Sequence, residues 1–568
     1  MPATRKSPDK ILFIFLGVWA LLNLIQSAFV EVHADEAYYW MYSRFLDWGY
    51  FDHPPMVALF IKIGDALSGS MPGLRLMTVL TSTLSVYILW QILKPYAVDI
   101  KHFILLFGSV VLFHVYGFIT TPDAPLAFFT VLFFYAYQRY EKEDNWKWAL
   151  ALSLVIACLL YSKYHAILVL FFTVISNLKL LRRRSFWGIV LLSILVFLPH
   201  IRWQVQNNYP SFYYHVIDRS AAFYKFRYTT EYLLAQLALA GPLVGWYLYR
   251  SAAVLKTSDG FIRALKFNFY GIFIFFLFST LKGRVEAHWT LPAMLCLFML
   301  ACIALAGRPV PRWLERLAIA NIALVILVRL VLIIPLDALK KVKIVAYYFG
   351  NEEWAKEIRQ KAGNYPVIFY DSFQAPSRYN YYTRSTKGFS YDSRNYRKNQ
   401  YDIWPLEDSI RHKKAYLVLD NEYSEYSTQD TIRTEKGIYY GTWIDHVRMY
   451  QKVSVNPLTV PADWKTEELR TLKLKISNPY HERIMLGNKN EKWKCYLEYS
   501  FKKDDVTEDF QPVHADLEQL NIAAGASAEV AGTIKAPATA GKYKLILSLR
   551  TEPFRGSRNS NMIAVEIK

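Results

Sequence analysis

Apolar and polar positions are unevenly distributed along this chain. Up to about residue 335 it reads as apolar runs of roughly 16 to 24 residues joined by short polar links, and after residue 340 such runs stop. A helix needs ~20 predominantly apolar residues to cross bilayer hydrocarbon. The pattern therefore predicts about eleven spans, near 11–30, 74–94, 102–119, 124–138, 147–162, 166–181, 186–201, 231–250, 265–281, 289–307 and 315–335. Further on, "NEEWAKEIRQKAG" has helical periodicity while "YPVIFYDS" and "KKAYLVLD" read as strands, which predicts a small α/β domain over 341–457. From 458 to 568, alternation in "LRTLKLKIS", "KWKCYLEYSF", "ASAEVAGTIKA" and "KYKLILSLR" predicts an Ig-like β-sandwich. The expected fold is a polytopic α-helical membrane domain, residues 1–340, followed by two extracytoplasmic domains.

Charge fixes the expected orientation. The basic flank "RKSPDK" places the N-terminus in the cytoplasm and makes the first run a retained anchor rather than a cleaved leader. Alternating from there puts a Lys or Arg in every cytoplasmic link, and it puts the C-terminal domains outside an inner (plasma) membrane. The opposite face then holds "VHADEAYYWMYSRFLDWGYFDHPPMVALF", "TTPDAP", "YSKYH", the loop over 202–230 and "KGRVEAHW". Lys and Arg outnumber Asp and Glu by 15 in residues 1–350 and by 4 in residues 351–568. Part of the first surplus lies on the outer links, where topology does not require it, and this suggests an anionic ligand there. The composition, 53% hydrophobic and 20% charged, excludes an ordinary cytosolic enzyme. No nucleic-acid signature, disulfide framework or Cys/His metal spacing is present.

The outer links carry the candidate chemistry. If "ADEAYYWMYSRFL" is helical, Asp35 shares a face with Tyr38 and Tyr39, and the Asp35/Glu36 pair either serves a substrate or simply opens an amphipathic helix. Asp52 reads first as the cap of a helix in "DHPPMVALFIKIG", with His53 projecting beside that helix's N-terminus, a place that suits an anion. Asp123 caps the next helix or faces the same cavity as Asp35. Lys163 snorkels or binds phosphate. His215 and Arg219 stack four residues apart and offer a phosphate fork. Arg284, Glu286 and His288 crowd the entrance of the span near 289–307; Arg284, which topology could also explain, and His288 are candidate donor-phosphate ligands, and Glu286 is a candidate pocket residue.

"DEAYYW", "GYFDHPP", "TPDAP", "WQ…YPSFYYHVIDRS" and "VEAHWTLPA", in that order, resemble the polyprenyl-phosphate-sugar-dependent glycosyltransferases of the protein O-mannosyltransferase and aminoarabinose-transferase superfamily, which have the GT-C architecture. The resemblance covers about residues 10–450 and leaves the sandwich without a counterpart. It implies that Asp35 is the catalytic base, that His53 stands where the family often has a donor-phosphate Lys, that Asp123 is the acidic residue after the third span, and that His215 and Arg219 bind phosphate. The implied reaction is inverting sugar transfer from a polyprenyl phosphate to a lipid such as lipid A, a glycan or a protein, with no cofactor or metal. A glycan ligase of the same fold is the nearer alternative. A transporter or non-catalytic scaffold is the farther one, although the pattern shows neither the inverted repeats nor the broken helices of transporters.

Overall fold

The structure is a computed structural model that describes residues 8–218, 224–334, 336–370, 372–391, 393–394, 396–423, 426, 429–461, 463–503 and 506–568. The chain divides into two compact units, residues 1–213 with 224–349, and residues 214–223 with 350–568.

The first unit is helical. In order it contains α1 (Pro8–Phe29), α2 (Ala34–Arg44), α3 (Met56–Leu67), α4 (Met71–Leu93), α5 (Ile100–Ser109), α6 (Val111–Val115), α7 (Asp123–Lys142), α8 (Trp146–Ser162), α9 (Ala166–Ser176), α10 (Arg184–Gln206), the single turn α11 (Pro210–Phe212), α12 (Phe226–Ala240), α13 (Gly245–Val254), α14 (Gly260–Ser279), α15 (Leu291–Leu305), α16 (Arg312–Ile333), and the turns α17 (Asp337–Lys340) and α18 (Lys343–Ala346). Each predicted span overlaps helix, with interruptions in those near 102–119, 166–181 and 231–250. Among the described residues, six helical segments are long and apolar enough to cross a membrane: α1, Met71–Tyr96, α10, α14, Ala287–Leu305 and α16. A seventh is formed if the bent pair α12 and α13 counts as one span. The protein is a multi-pass membrane protein.

Burial separates the remaining helices by role. α15 is buried around nearly its whole circumference, as expected of an apolar helix at the centre of a bundle. α10 and α16 instead leave Leu191, Leu195, Leu198, Leu324, Leu327 and Val328 exposed, which is a lipid-facing surface. α7 packs against α4 and α8 with most of its length buried, so it can keep polar residues such as Gln138, whose Nε2 donates to the Ile92 carbonyl at 3.1 Å.

The span expected at 231–250 is broken by 92°. Gly241 there takes φ +115°, and a Cβ at this position would lie 2.7 Å from the Ser109 carbonyl oxygen. Only glycine fits both demands. Asn321 of α16 fills the break, accepting the Leu243 N–H at 3.1 Å and donating to Ser109 O at 2.8 Å. A second polar knot lies along α1 and α16. Arg329 donates to Gln26 Oε1 (3.2 Å), Asn23 Oδ1 (2.8 Å) and His114 Nδ1 (3.2 Å), and Gln26 Nε2 donates back to the Arg329 carbonyl (3.2 Å). Among the described residues no carboxylate pairs with it.

In the second unit α19 (Asn351–Ala362) begins after Gly350 at φ 74° with Glu352 and Glu353 in its first turn, and it ends at Gly363 with Arg359 and Lys361 in its last; both charge placements suit the helix dipole. It covers a sheet ordered β2 (Gly388–Ser390), β1 (Val367–Phe369), β3 (Ala415–Leu419), β5 (Gly437–Ile444), β4 (Asp430–Thr434), in which β1 runs parallel to β2 and β3 and a hairpin closes the edge. The crossover from β1 to β2 runs through α20 (Gln374–Tyr382). The sandwich follows, with β6 (Ser454–Pro457), β7 (Leu469–Ser477) and β13 (Ser527–Lys535) forming one sheet. The short pair β8 (Ile484–Met485) and β12 (Asn521–Ile522) lies apart, and the other sheet contains β9 (Cys495–Lys503), β10 (Val506–Thr507), β11 (Gln511–Pro512), β14 (Gly541–Thr551) and β15 (Ile563–Ile567). Inward residues of β7, β9 and β14, among them Leu474, Leu497 and Leu547, share one core.

Candidate active site

The sequence at the start of α2 places two adjacent carboxylates in opposite settings. Asp35 points outward, with 39% of its side chain exposed. Glu36 is fully buried. The Arg75 guanidinium from α4 grips it in a fork, Nε to Oε1 at 2.8 Å and Nη2 to Oε2 at 2.6 Å. The His33 N–H donates to Oε2 (3.1 Å) and the Thr120 N–H to Oε1 (2.9 Å). Arg75 in turn donates to the carbonyls of Ser27 in the last turn of α1 and of Val30 and Glu31 just beyond it. This hub joins the end of α1, the start of α2, α4 and the loop before α7. The expectation that Glu36 acts in catalysis is therefore corrected: every described contact of its carboxylate is structural, and no face of it reaches solvent.

Two further expectations near α2 change. Asp52 does not cap α3, whose N-cap is Pro55 without a side-chain bond. Tyr38 and Tyr42, one helical turn apart, instead donate to Asp52 Oδ2 at 2.9 and 3.3 Å. Tyr38 and Tyr39 are consequently buried rather than aligned with Asp35 along an open surface. His53 is partly buried with its ring 5.8 Å from that of Tyr39.

A second acidic centre sits at the first turn of α7. Asp123 is buried, and both its oxygens accept from Lys163 Nζ at 2.8 Å. Lys163 is thus an interior ion pair rather than a snorkelling side chain or an open phosphate ligand. His288 approaches Asp123 Oδ2 to 3.7 Å and its ring stands 6.1 Å from Tyr116. The α2 start reaches the Asp123 loop through the bond from the Thr120 N–H to Glu36 Oε1. His165 packs on Trp289 with ring centroids 5.0 Å apart. At the rim, Arg284 is largely exposed, 3.9 Å from Glu286. Four links expected on one face, those with Asp35, Asp123, Lys163 and His288, therefore meet.

The start of the fifth link also joins them, since Ser211 Oγ donates to the Tyr50 carbonyl at 3.0 Å. His215 groups with the second unit, its ring 4.8 Å from Tyr214, and Arg219 lies outside the described residues. Sequence reasoning missed His33, Arg75 and Thr120. Two of these left a signal: Arg75 is a charge inside an apolar run, which calls for a buried partner, and His33 stands three residues before Glu36 in the spacing of a capping box.

Comparisons with known proteins follow this geometry. Residues 52–203 match the family described as dolichyl-phosphate-mannose-protein mannosyltransferase. The crystal structure of ArnT from Cupriavidus metallidurans in the apo state superposes with a TM-score of 0.57 at 15% identity, covering 76% of this chain and 98% of that one. The chain has the GT-C fold. Among GT-C proteins, ArnT bound to undecaprenyl phosphate aligns with a TM-score of 0.54 at 13% identity over the same share of each chain. A lipid A galacturonosyltransferase, RgtD, from Rhizobium johnstonii is 25% identical over 306 residues, which are 50% of this chain. The chain spans 63% of that relative's length. The GT-C resemblance read from the outer-loop motifs is thus supported by fold and by sequence.

Proposed function

We propose that this chain transfers a sugar from a polyprenyl phosphate to a lipid acceptor of the lipid A class at the outer face of the inner membrane, with Asp35 as general base. The observation that carries the reading is the partly exposed Asp35 carboxylate beside a buried hub whose Glu36 takes the Thr120 N–H of the loop that leads to Asp123, itself paired with Lys163 and approached by His288. An outward carboxylate can take the proton of an acceptor hydroxyl, which is typically worth ~10²- to 10⁴-fold. Cations near it stabilise the phosphate that leaves. Arg284 at the rim is an exposed cation suited to that role, the His288 imidazole can add a hydrogen bond, and His53 stands at the loop the resemblance assigns to it. Attack opposite the phosphate inverts the anomeric carbon. Lys163 acts from behind, keeping Asp123 neutralised so that it does not repel the departing phosphate.

The undecaprenyl phosphate held by the ArnT structure supports a polyprenyl carrier as donor, and the acceptor of RgtD supports lipid A rather than protein. The test is envelope mass spectrometry on a deletion strain. We expect one sugar mass to disappear from the lipid A fraction and to return with the wild-type gene but not with Asp35→Asn. Rescue by Asp35→Asn, or loss of the mass from glycoproteins alone, overturns the base or the acceptor respectively.

A further inference from the structure

The carboxylate on which the proposed reaction depends is held through its own backbone, and that backbone is held by a histidine. His33 precedes α2 in an extended conformation (φ −61°, ψ 148°), and its Nδ1 accepts the Asp35 N–H at 3.1 Å. A Ser, Thr, Asp or Asn oxygen ordinarily serves at this position. Glu36 completes the capping box on the His33 N–H. The ring is fixed from the other side by Tyr347, 4.9 Å between centroids, and Tyr348, 6.0 Å. The Tyr347 hydroxyl also accepts the Ala34 N–H at 3.2 Å.

An imidazole differs from the usual capping groups in one respect: it can lose its acceptor. A protonated Nδ1 only donates, and the Asp35 carboxylate lies within reach of it, with Oδ2 3.7 Å away. We propose that His33 is a positioning residue for Asp35, whose neutral ring holds the base outward and whose protonated ring drops the Asp35 N–H and engages the carboxylate instead. The site then turns itself down when that ring takes up a proton. The inference rests on Asp35 being the base.

The charged and titratable surroundings of the ring are few. Asp35 and Glu36 face it from its own segment, Arg75 from α4 neutralises Glu36, and Tyr347 and Tyr348 face it from beyond α18. Burial pushes the Tyr348 phenol up to about 12, so that tyrosine stays neutral across the working range. Asp35 is therefore the one uncompensated charge among these groups.

The experiment compares wild type, His33→Asn, His33→Phe and Asp35→Asn in native membranes, reading the initial rate of the lipid A mass change between about pH 5 and 8. Asn offers an acceptor oxygen that does not titrate, while Phe keeps the ring packing without an acceptor. We expect His33→Asn to run within about 3-fold of wild type at neutral pH with its acid limb flattened. His33→Phe should lose roughly 10- to 100-fold through a misplaced base. Full activity of His33→Phe, or an unchanged acid limb in His33→Asn, overturns the inference while leaving the function intact. If Asp35→Asn is active, the reading of the base fails and the inference falls with it. Should His33→Phe fail to accumulate, the pH profile of His33→Asn decides alone.

Discussion

Within a single turn of α2, one carboxylate faces water and its neighbour is enclosed in a fork of guanidinium bonds. Removing one member of such a buried pair strands the other charge and costs about 3–5 kcal/mol. We expect Glu36→Gln and Arg75→Met to lower the melting temperature of the detergent-solubilised protein strongly, whereas Asp35→Asn leaves it nearly unchanged while abolishing transfer. Similar melting of all three would show that Glu36 is not the hub. At this scale the sequence named Asp35, Asp123, Lys163 and His288 from composition and order. It could not divide Asp35 from Glu36, because adjacent residues on a helix point about 100° apart and only tertiary packing decides which side faces Arg75. The same limit hid the Tyr38 and Tyr42 bonds to Asp52, which depend on how the chain returns after α2.

Among the elements, the bent pair α12 and α13 is the clearest departure from what periodicity suggested. An apolar run through Gly-Pro reads as one span, yet Pro cannot continue the hydrogen-bond ladder and the glycine takes a conformation other residues rarely adopt. Gly241→Ala should destabilise the protein by roughly 1–3 kcal/mol, since it combines the unfavourable φ with a contact against Ser109 O. Asn321→Leu should cost a similar amount, about 1–3 kcal/mol, by leaving the Leu243 N–H and Ser109 O without their partner. Thermal denaturation checks both, and a neutral Asn321→Leu would mean that the break is held by other contacts. α5, α8 and α9 are apolar helices of 10–17 residues, and α8 and α9 leave Leu150, Leu154, Ile167 and Phe171 exposed as α10 does, so their apolar pattern reads as a span although their length falls short of one.

At the scale of the whole molecule, the two units carry different liabilities. The membrane unit holds most of the positive surplus, and the second unit buries acids at the junction of its sheet and sandwich. Glu407 Oε1 accepts from Tyr480 Oη at 2.6 Å and from the Gln451 N–H at 2.9 Å, and Gln451 Nε2 donates to Asp402 Oδ1 at 2.9 Å. Burial pushes both Asp402 and Glu407 above the usual carboxylate range. A carboxyl raised on folding binds its proton more tightly in the folded state, so stability increases as pH falls from neutral toward the unfolded value near ~4. We expect the melting transition of the second unit, followed in the full-length protein, to rise between about pH 7 and 5, and Glu407→Gln to flatten that rise. A transition that falls over this interval would contradict the burial argument.

The α/β order and the sandwich strands were readable because a soluble domain advertises its elements through alternation and caps. The bonds that join sheet to sandwich were not, since Glu407 and Tyr480 are 73 residues apart.

Arg329 carries a last implication, for how the protein is built. Its guanidinium sits on the final long helix, and its side-chain partners Asn23 and Gln26 lie on the first, about 300 residues earlier in synthesis. Until α16 is made, the α1 amides therefore lack their Arg329 partner, and α16 brings a cation that is costly in lipid without them. Bundle assembly is then finished by its latest arrival clasping its earliest, and a nascent chain halted before residue 312 would expose a defect for membrane quality control to read.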